Sequence, residues 1–319
     1  MLRSVRVLVG SVALVGLLFP ATAQAQQACT WQRSELPVPA GHSGPDVKGI
    51  GGEYSVALTG SNPVPGIVRW RNAQPTVLSL PTTEPGLYGT PIDVSANGTV
   101  VAVLRSLNGP VLNKPYVTKV DGTHKFLADP APGKPGNPVA INSQGVVVGH
   151  ADVDGALRLV LWNGPDYSSA TVLGTGVAMG IDDDGFILAR PGIRYKPGVI
   201  AQPLKKPVGA TSIDVLGYDN GTAVGSAVTG MVYQGVVWNA DGTVRYVLPG
   251  GTVRSANSQG TAIGDGVSGA KLWRAGQPAD LPVPGPWMAG NFVTGRDTLI
   301  GTYLDIEGGN VHAAEWTCS

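Results

Sequence analysis

The stretch "AINSQGVVVGH", residues 140–150, decides how this chain is read. Apolar residues lead into Asn-Ser-Gln-Gly, and a run of valines leads out. That order fits a strand, a tight turn and a second strand, because glycine accepts the positive φ that tight hairpins demand. Four further segments align with it on a turn glycine. They are "DVSANGTVVAV" at Gly98, "GIDDDGFILAR" at Gly185, "VLGYDNGTAVGS" at Gly221 and "RSANSQGTAIGD" at Gly260, beside Gly145 of the first. Two weaker copies, "VKGIGGEYSVALTG" (47–60) and "AGNFVTGRDTLIGTY" (289–303), bring the series to seven.

Each copy continues alike. A third strand often ends in tryptophan, as in "GIVRW" (Trp70), "RLVLW" (Trp162), "GVVW" (Trp238), "AKLW" (Trp273) and "HAAEW" (Trp316). A polar turn follows, then a fourth strand ending near Leu-Pro, as in "TVLSLP" and "VRYVLP". In the second and fourth copies "KPYVTKV" and "KPGVIAQPL" stand where the tryptophan strand is expected. Four antiparallel strands in roughly 40 residues is the size of one propeller blade. A lone blade cannot bury both faces, whereas seven in a ring can. The expected fold is therefore all-β, a seven-bladed propeller.

The chain ends discriminate a ring from an open stack. The seventh copy stops after "HAAEWTCS" and lacks its fourth strand. "SELPVPAG" (34–41) resembles "ADLPVPGP" (279–286), so the N-terminal segment, 29–41, is expected to complete the last blade. Residues 1–25 read as a cleaved signal peptide: two arginines, an apolar run too short to span a membrane, and an Ala-x-Ala site at Ala23 and Ala25. Residues 26–319 then form one domain, a monomer, secreted or periplasmic. In an oxidising compartment Cys29 and Cys318, brought together by ring closure, should form a disulfide.

Composition agrees with this reading. The chain has 46 Gly, 26 Pro and 14% charged residues. Beyond the leader, 20 basic side chains face 22 acidic ones. No basic patch speaks for nucleic acid, and no later segment is apolar enough for membrane insertion.

The pattern Ala-x-x-Trp followed by Ile-Asn-x-x-Gly-x-Val-Val-Gly resembles the HAF repeat of probable extracellular bacterial repeat proteins. "HAAEW" and "AINSQGVVVGHA" carry the likeness, which covers nearly the whole mature chain in degenerate copies. It implies an exported repeat protein and brings no catalytic residues.

The search for chemistry yields little. The four histidines, His42, His124, His150 and His312, fall in different copies, and no Cys-x-x-Cys or His-x-x-x-His pair exists. "IDDDG" (182–184 the acids) and "ADVDG" (Asp152, Asp154) lack the glutamate of a full calcium loop, so turn chemistry is their plainer reading and Asp152 and Asp154 remain weak metal candidates. "GTGVAMG" opens no helix, so no dinucleotide cofactor is expected. No G-x-S-x-G nucleophile occurs. Asp46, Asp93 and Asp214 lie near the start of an innermost strand, where a ring of them could line the channel, although recurrence at one position speaks for a structural role first.

Function is accordingly expected at loops. "PTTEPGLYGTP" presents Tyr88, "LRSLNGPVLNK" carries Arg105, "GPWMAG" presents Trp287, and His150 follows a second strand. These four form the candidate ligand site of a binding or scaffolding module for a polysaccharide or an envelope or extracellular protein. The alternatives are a secreted hydrolase or lyase with carboxylates at the channel mouth, and a passive envelope component.

Overall fold

The computed structural model describes residues 30–61, 64–107, 112–219, 221–266, 269–279, 292–305 and 307–318. The expected leader, Cys29 and Trp287 lie outside these residues. Seven sheets of four antiparallel strands form, with no helix among the described residues. The molecule is a seven-bladed β-propeller. Strands are named a to d from the channel outward. The a strands are His42–Gly51, Leu87–Val94, Asn137–Ile141, Val177–Ile181, Ser212–Asp219, Gly251–Ala256 and Phe292–Val293, in blades 1 to 7.

The repeat turns explain why each blade folds locally. Gly98, Gly145, Gly185, Gly221 and Gly260 have φ of 82°, 78°, 79°, 75° and 95°. Side chains with a β-branch or any Cβ are strained there. The residue opening the a–b turn caps the backbone four residues on. Asn142 Oδ1 accepts from Val146 N at 2.9 Å, Asp182 Oδ1 from Phe186 N at 2.8 Å and Asn257 Oδ1 from Thr261 N at 3.0 Å. The same asparagines reach sideways: Asn142 Nδ2 donates to Asp182 O and Asn257 Nδ2 to Thr294 O, both at 3.0 Å, so each turn also ties one blade to the next. Asp182 and its neighbours thus serve as turn chemistry.

The hydrophobic cores lie between blades. Val101 and Val117 of blade 2, for example, pack with Ile141, Val147, Val160 and Trp162 of blade 3. Trp70, Trp162, Trp238, Trp273 and Trp316 are all fully buried on strand c. Three of them share one further bond. Trp70 Nε1 donates to Pro37 O, Trp162 Nε1 to Ala128 O and Trp238 Nε1 to Lys205 O, each at 2.8 Å. Each acceptor follows a buried leucine (Leu36, Leu127, Leu204) that leaves strand d of the preceding blade. At these three boundaries the carbonyl just past that leucine is therefore the socket for the next tryptophan.

Two sequence expectations need correction. In blade 4, "KPGVIAQPL" is a turn plus strand d (Val199–Pro203); strand c is Ile193–Lys196, and Tyr195 stands opposite Ile187 where Trp162 stands opposite Val147. Turns at Gly192 and at Gly198 shorten this blade's hairpins, which moved the alignment by one strand. At the N-terminus, the closing strand is Trp31–Glu35, not residues 34–41. Pro37 and Pro39 have no N–H for a ladder, so pairing stops before them. The closure itself stands: Trp31 pairs with Cys318, Arg33 with Trp316 and Glu35 with Ala314, and Leu36 N donates to Ala313 O at 2.9 Å. The seam is packed like any other blade boundary, Leu36, Ile300 and Ala313 meeting Val47, Ala57, Val68 and Trp70.

Candidate functional site

Strand a carries a β-bulge in blades 1 to 6, at the same step in each register: between Val47 and Gly49, Pro91 and Asp93, Pro138 and Ala140, Ala178 and Gly180, Val215 and Gly217, and Val253 and Ser255. The extra residue is Lys48, Ile92, Val139, Met179, Leu216 or Arg254. All six line one cavity of about 530 Å³ in the channel, together with Phe292 of blade 7. A bulge leaves one residue unpaired and bends the strand. Repeated around the ring, it builds a collar. Its arc over blades 2 to 5 is apolar (Ile92, Val139, Met179, Leu216). Its arc over blades 6, 7 and 1 carries Arg254, Phe292 and Lys48.

Where the residue after the bulge is glycine it must stay so, because neighbouring a strands nearly touch there. A Cβ on Gly49 would come within 2.7 Å of the Asp93 Cα, and one on Gly217 within 2.9 Å of the Arg254 carbonyl oxygen. Ser255 and Asp93 occupy the same position and use it alike. Ser255 Oγ accepts from Val293 N of the next blade at 3.0 Å. Asp93 Oδ2 accepts from Ile141 N of the next blade at 3.0 Å, and its Oδ1 from Val94 N at 2.8 Å. Burial in the channel wall pushes the Asp93 carboxyl up to about 8 against the pull of those two amides, with the Asp219 charge adding to the rise.

The cavity opens among the a–b turns, where Ser143, Asp183, Asp219 and Arg296 line it. Its cations are Lys48, Arg254 and Arg296, on blades 1, 6 and 7; its carboxyl groups are Asp93, Asp183 and Asp219, on blades 2, 4 and 5. Each cation is paired with an acid outside the cavity lining. Lys48 pairs with Asp46 and Arg254 with Asp265, while Arg296 lies 3.6 Å from Glu53. Asp183 Oδ1 accepts from Ser143 N at 2.8 Å.

The strand-a aspartates do not form a ring around the cavity. Asp93 lines the cavity, but Asp46 and Asp214 do not; Asp214 is 3.6 Å from Arg190. The bulge explains the miss, since it offsets positions that simple alternation would align. Asp93 itself has both oxygens occupied by backbone amides, which suits a staple between blades better than a proton donor to substrate.

The loop-bearing face is the opposite end of the channel, at the starts of the a strands. Tyr88 lies there within strand a of blade 2, not in a loop, because the alternation of buried Leu87 and Gly89 already begins after the turn at Gly86. It stands opposite Arg105 in the a–b register. His150 sits within strand b of blade 3, opposite Asn137. Its Nδ1 is buried without a partner, as is Asn113 Oδ1, and Asn113 Nδ2 donates to Asn137 Oδ1 at 3.1 Å. Burial lowers the His150 pKa and so favours the neutral ring. Tyr88, Arg105 and His150 thus share a rim over blades 2 and 3. Asp152 Oδ1 accepts from Gly155 N at 3.0 Å in its own b–c turn, and among the described residues no group of three or more His, Cys, Asp or Glu is placed to hold a metal.

One feature of this face lies outside the repeat pattern. The b–c turn of blade 5 holds Met231 99%, Val232 56% and Tyr233 62% exposed. Val208, fully exposed, sits in the adjoining loop, which Thr211 N pins to Val228 O at 2.8 Å. The signal was present as three consecutive large residues, "MVY", at a hairpin tip that normally carries polar ones.

The fold, the closed ring and the channel define the chain as a propeller with one central cavity and one loop-rich rim. No protein-family model matches the sequence, and no curated protein matches it. Among solved structures it is similar to virginiamycin B lyase from Staphylococcus aureus, with a TM-score of 0.56, 13% identity, and coverage of 91% of this chain and 99% of that one. A prolyl endopeptidase gives 0.57 at 12% identity, covering 86% of this chain and 50% of the other. Ycf48 from Cyanidioschyzon merolae gives 0.54 at 10% identity, covering 89% and 98%. At such identities the likeness carries the fold and nothing finer.

Proposed function

We propose that this protein is an exported binding module of the HAF-repeat kind, stapled by a Cys29–Cys318 disulfide, that engages a polysaccharide or an envelope or extracellular protein through its loop-bearing rim as a monomer. The exposed Met231–Val232–Tyr233 tip is the observation that carries this reading, because solvent-facing apolar clusters on a soluble fold mark contact sites. Tyr88, Arg105 and His150 extend the rim, and Trp287 belongs to it by sequence. The disulfide is supported by register: Cys29 precedes Trp31 by two residues, and Trp31 faces Cys318. The hydrolase or lyase alternative loses ground because the strand-a aspartates do not converge.

The test is a pull-down of mature protein on envelope polysaccharide, peptidoglycan and secreted-protein fractions. A Met231→Ser/Tyr233→Ser variant should lose about tenfold or more in binding to whichever fraction retains the native protein. Its melting temperature should stay put, since both side chains are already in water. Tyr88→Ala should weaken the same interaction. Undiminished binding by both variants would move the contact off this rim.

A further inference from the structure

The channel cavity is a second site, at the other end of the molecule from the loop rim. Its volume, about 530 Å³, is within the range of small-molecule pockets. Its walls are chemically sided. Four successive blades present Ile92, Val139, Met179 and Leu216, an unbroken aliphatic and thioether surface. Blades 6, 7 and 1 present Arg254, Phe292 and Lys48, with Arg296 at the turn beyond.

The two kinds of charge in the cavity differ in what they have left to offer. Asp93 spends both oxygens on backbone amides, and Asp183 accepts from Ser143 N. Asp183 and Asp219 stand at the turns, outside the collar. The cations are engaged at one edge. Arg254 meets Asp265 through Nε, which leaves both Nη groups, and Lys48 meets Asp46 through one of three ammonium protons. Those pairs are half-exposed, so they are weak and exchangeable.

We infer that the channel binds a small amphipathic anion, with its aliphatic or aromatic body against Ile92, Val139, Met179 and Leu216 and its anionic head between Lys48 and Arg254. The head faces blades 6, 7 and 1, since the turn acids of blades 4 and 5 oppose it elsewhere. Phe292, set between the two cations, packs on the first carbons behind the head.

Three probes with one tail test this: octanoate, octanol and octylamine, titrated calorimetrically into the mature protein. Octanoate should bind about tenfold or more tightly than octanol, and octylamine should be weakest. Lys48→Met/Arg254→Met should bring octanoate to the level of octanol without lowering the melting temperature. Met179→Ser/Leu216→Ser should weaken octanoate and octanol by the same factor. Equal affinity for the three probes, preference for octylamine, or octanoate binding untouched by either variant would overturn the proposal. No binding of any probe would overturn it as well. None of these results bears on the pull-down, which reads the opposite face, so the two readings fail separately.

Discussion

Asp93 is bonded to amides of two blades and keeps its proton where most aspartates have lost theirs. In the unfolded chain its pKa is near 3.8, and in the folded chain about 8. Between those values the unfolded state releases a proton that the folded state retains. Stability from this group is therefore greatest at acid pH and falls as pH rises from about 4 to about 8. Ser255 performs the same inter-blade bond without a charge. Asp93→Ser should keep that bond and abolish this component of the pH dependence. Chemical denaturation at pH 5 and pH 8 would check it. The native protein should lose at least about 1 kcal/mol more than the variant over that interval, and parallel losses would remove Asp93 as the source. In sequence, Asp93's recurrence at one strand position spoke first for a structural role. Only the neighbouring blade's Ile141 amide, 48 residues on, reveals why a carboxyl stands there.

At the scale of the element, strand c and the exit from strand d act as one device. The indole N–H of Trp162 reaches the Ala128 carbonyl of the preceding blade while its ring fills the space between sheets. Trp162→Phe keeps most of the packing and strands that carbonyl, so it should cost about 1–2 kcal/mol. Trp162→Ala adds a cavity and should cost about 3–5 kcal/mol. Urea unfolding of both would separate the hydrogen bond from the ring; equal losses would mean the bond contributes nothing. Blade 2 shows a different solution at this position. Thr118 takes the tryptophan's place, fully buried, with its hydroxyl 3.0 Å from His124 Nδ1. The tryptophan column was readable from the repeat. The strand-a bulge was not, because no composition marks it: its residues are Lys, Ile, Val, Met, Leu and Arg.

For the whole molecule, the decisive feature is closure. Strand d of blade 7 comes from the other end of the chain, and the seam repeats the tryptophan bond of two other boundaries, Trp70 to Pro37, and adds Val47 N to Thr302 Oγ1 at 3.1 Å, while within blade 7 the Tyr303 hydroxyl donates to Glu35 at 2.6 Å. Without the closing strand, blades 1 and 7 each expose a face built for burial. Cys318→Ser should lower stability by about 2–5 kcal/mol if the proposed disulfide restrains the unfolded chain. Comparison of native and reduced protein by calorimetry checks it: reduction should shift the native protein toward the variant and leave the variant unchanged. Removing residues 31–36 should do more, since it takes away a strand, the Leu36 core residue and the Trp70 acceptor together.

The sequence by itself determined the blade count, the four-strand order, the turn glycines and the ring closure. Each of these depends on local propensity or on a pattern that repeats, and both survive without knowledge of neighbours in space. The position of Tyr88 in a strand, the escape of Asp46 and Asp214 from the channel, and the apolar-and-cationic collar were decided only by the tertiary structure. A bulge in each of blades 1 to 6 shifts the inward-facing position, and seven strands distant in sequence then converge on a single axis. Their side chains become a site only through that convergence, which no spacing along the chain encodes.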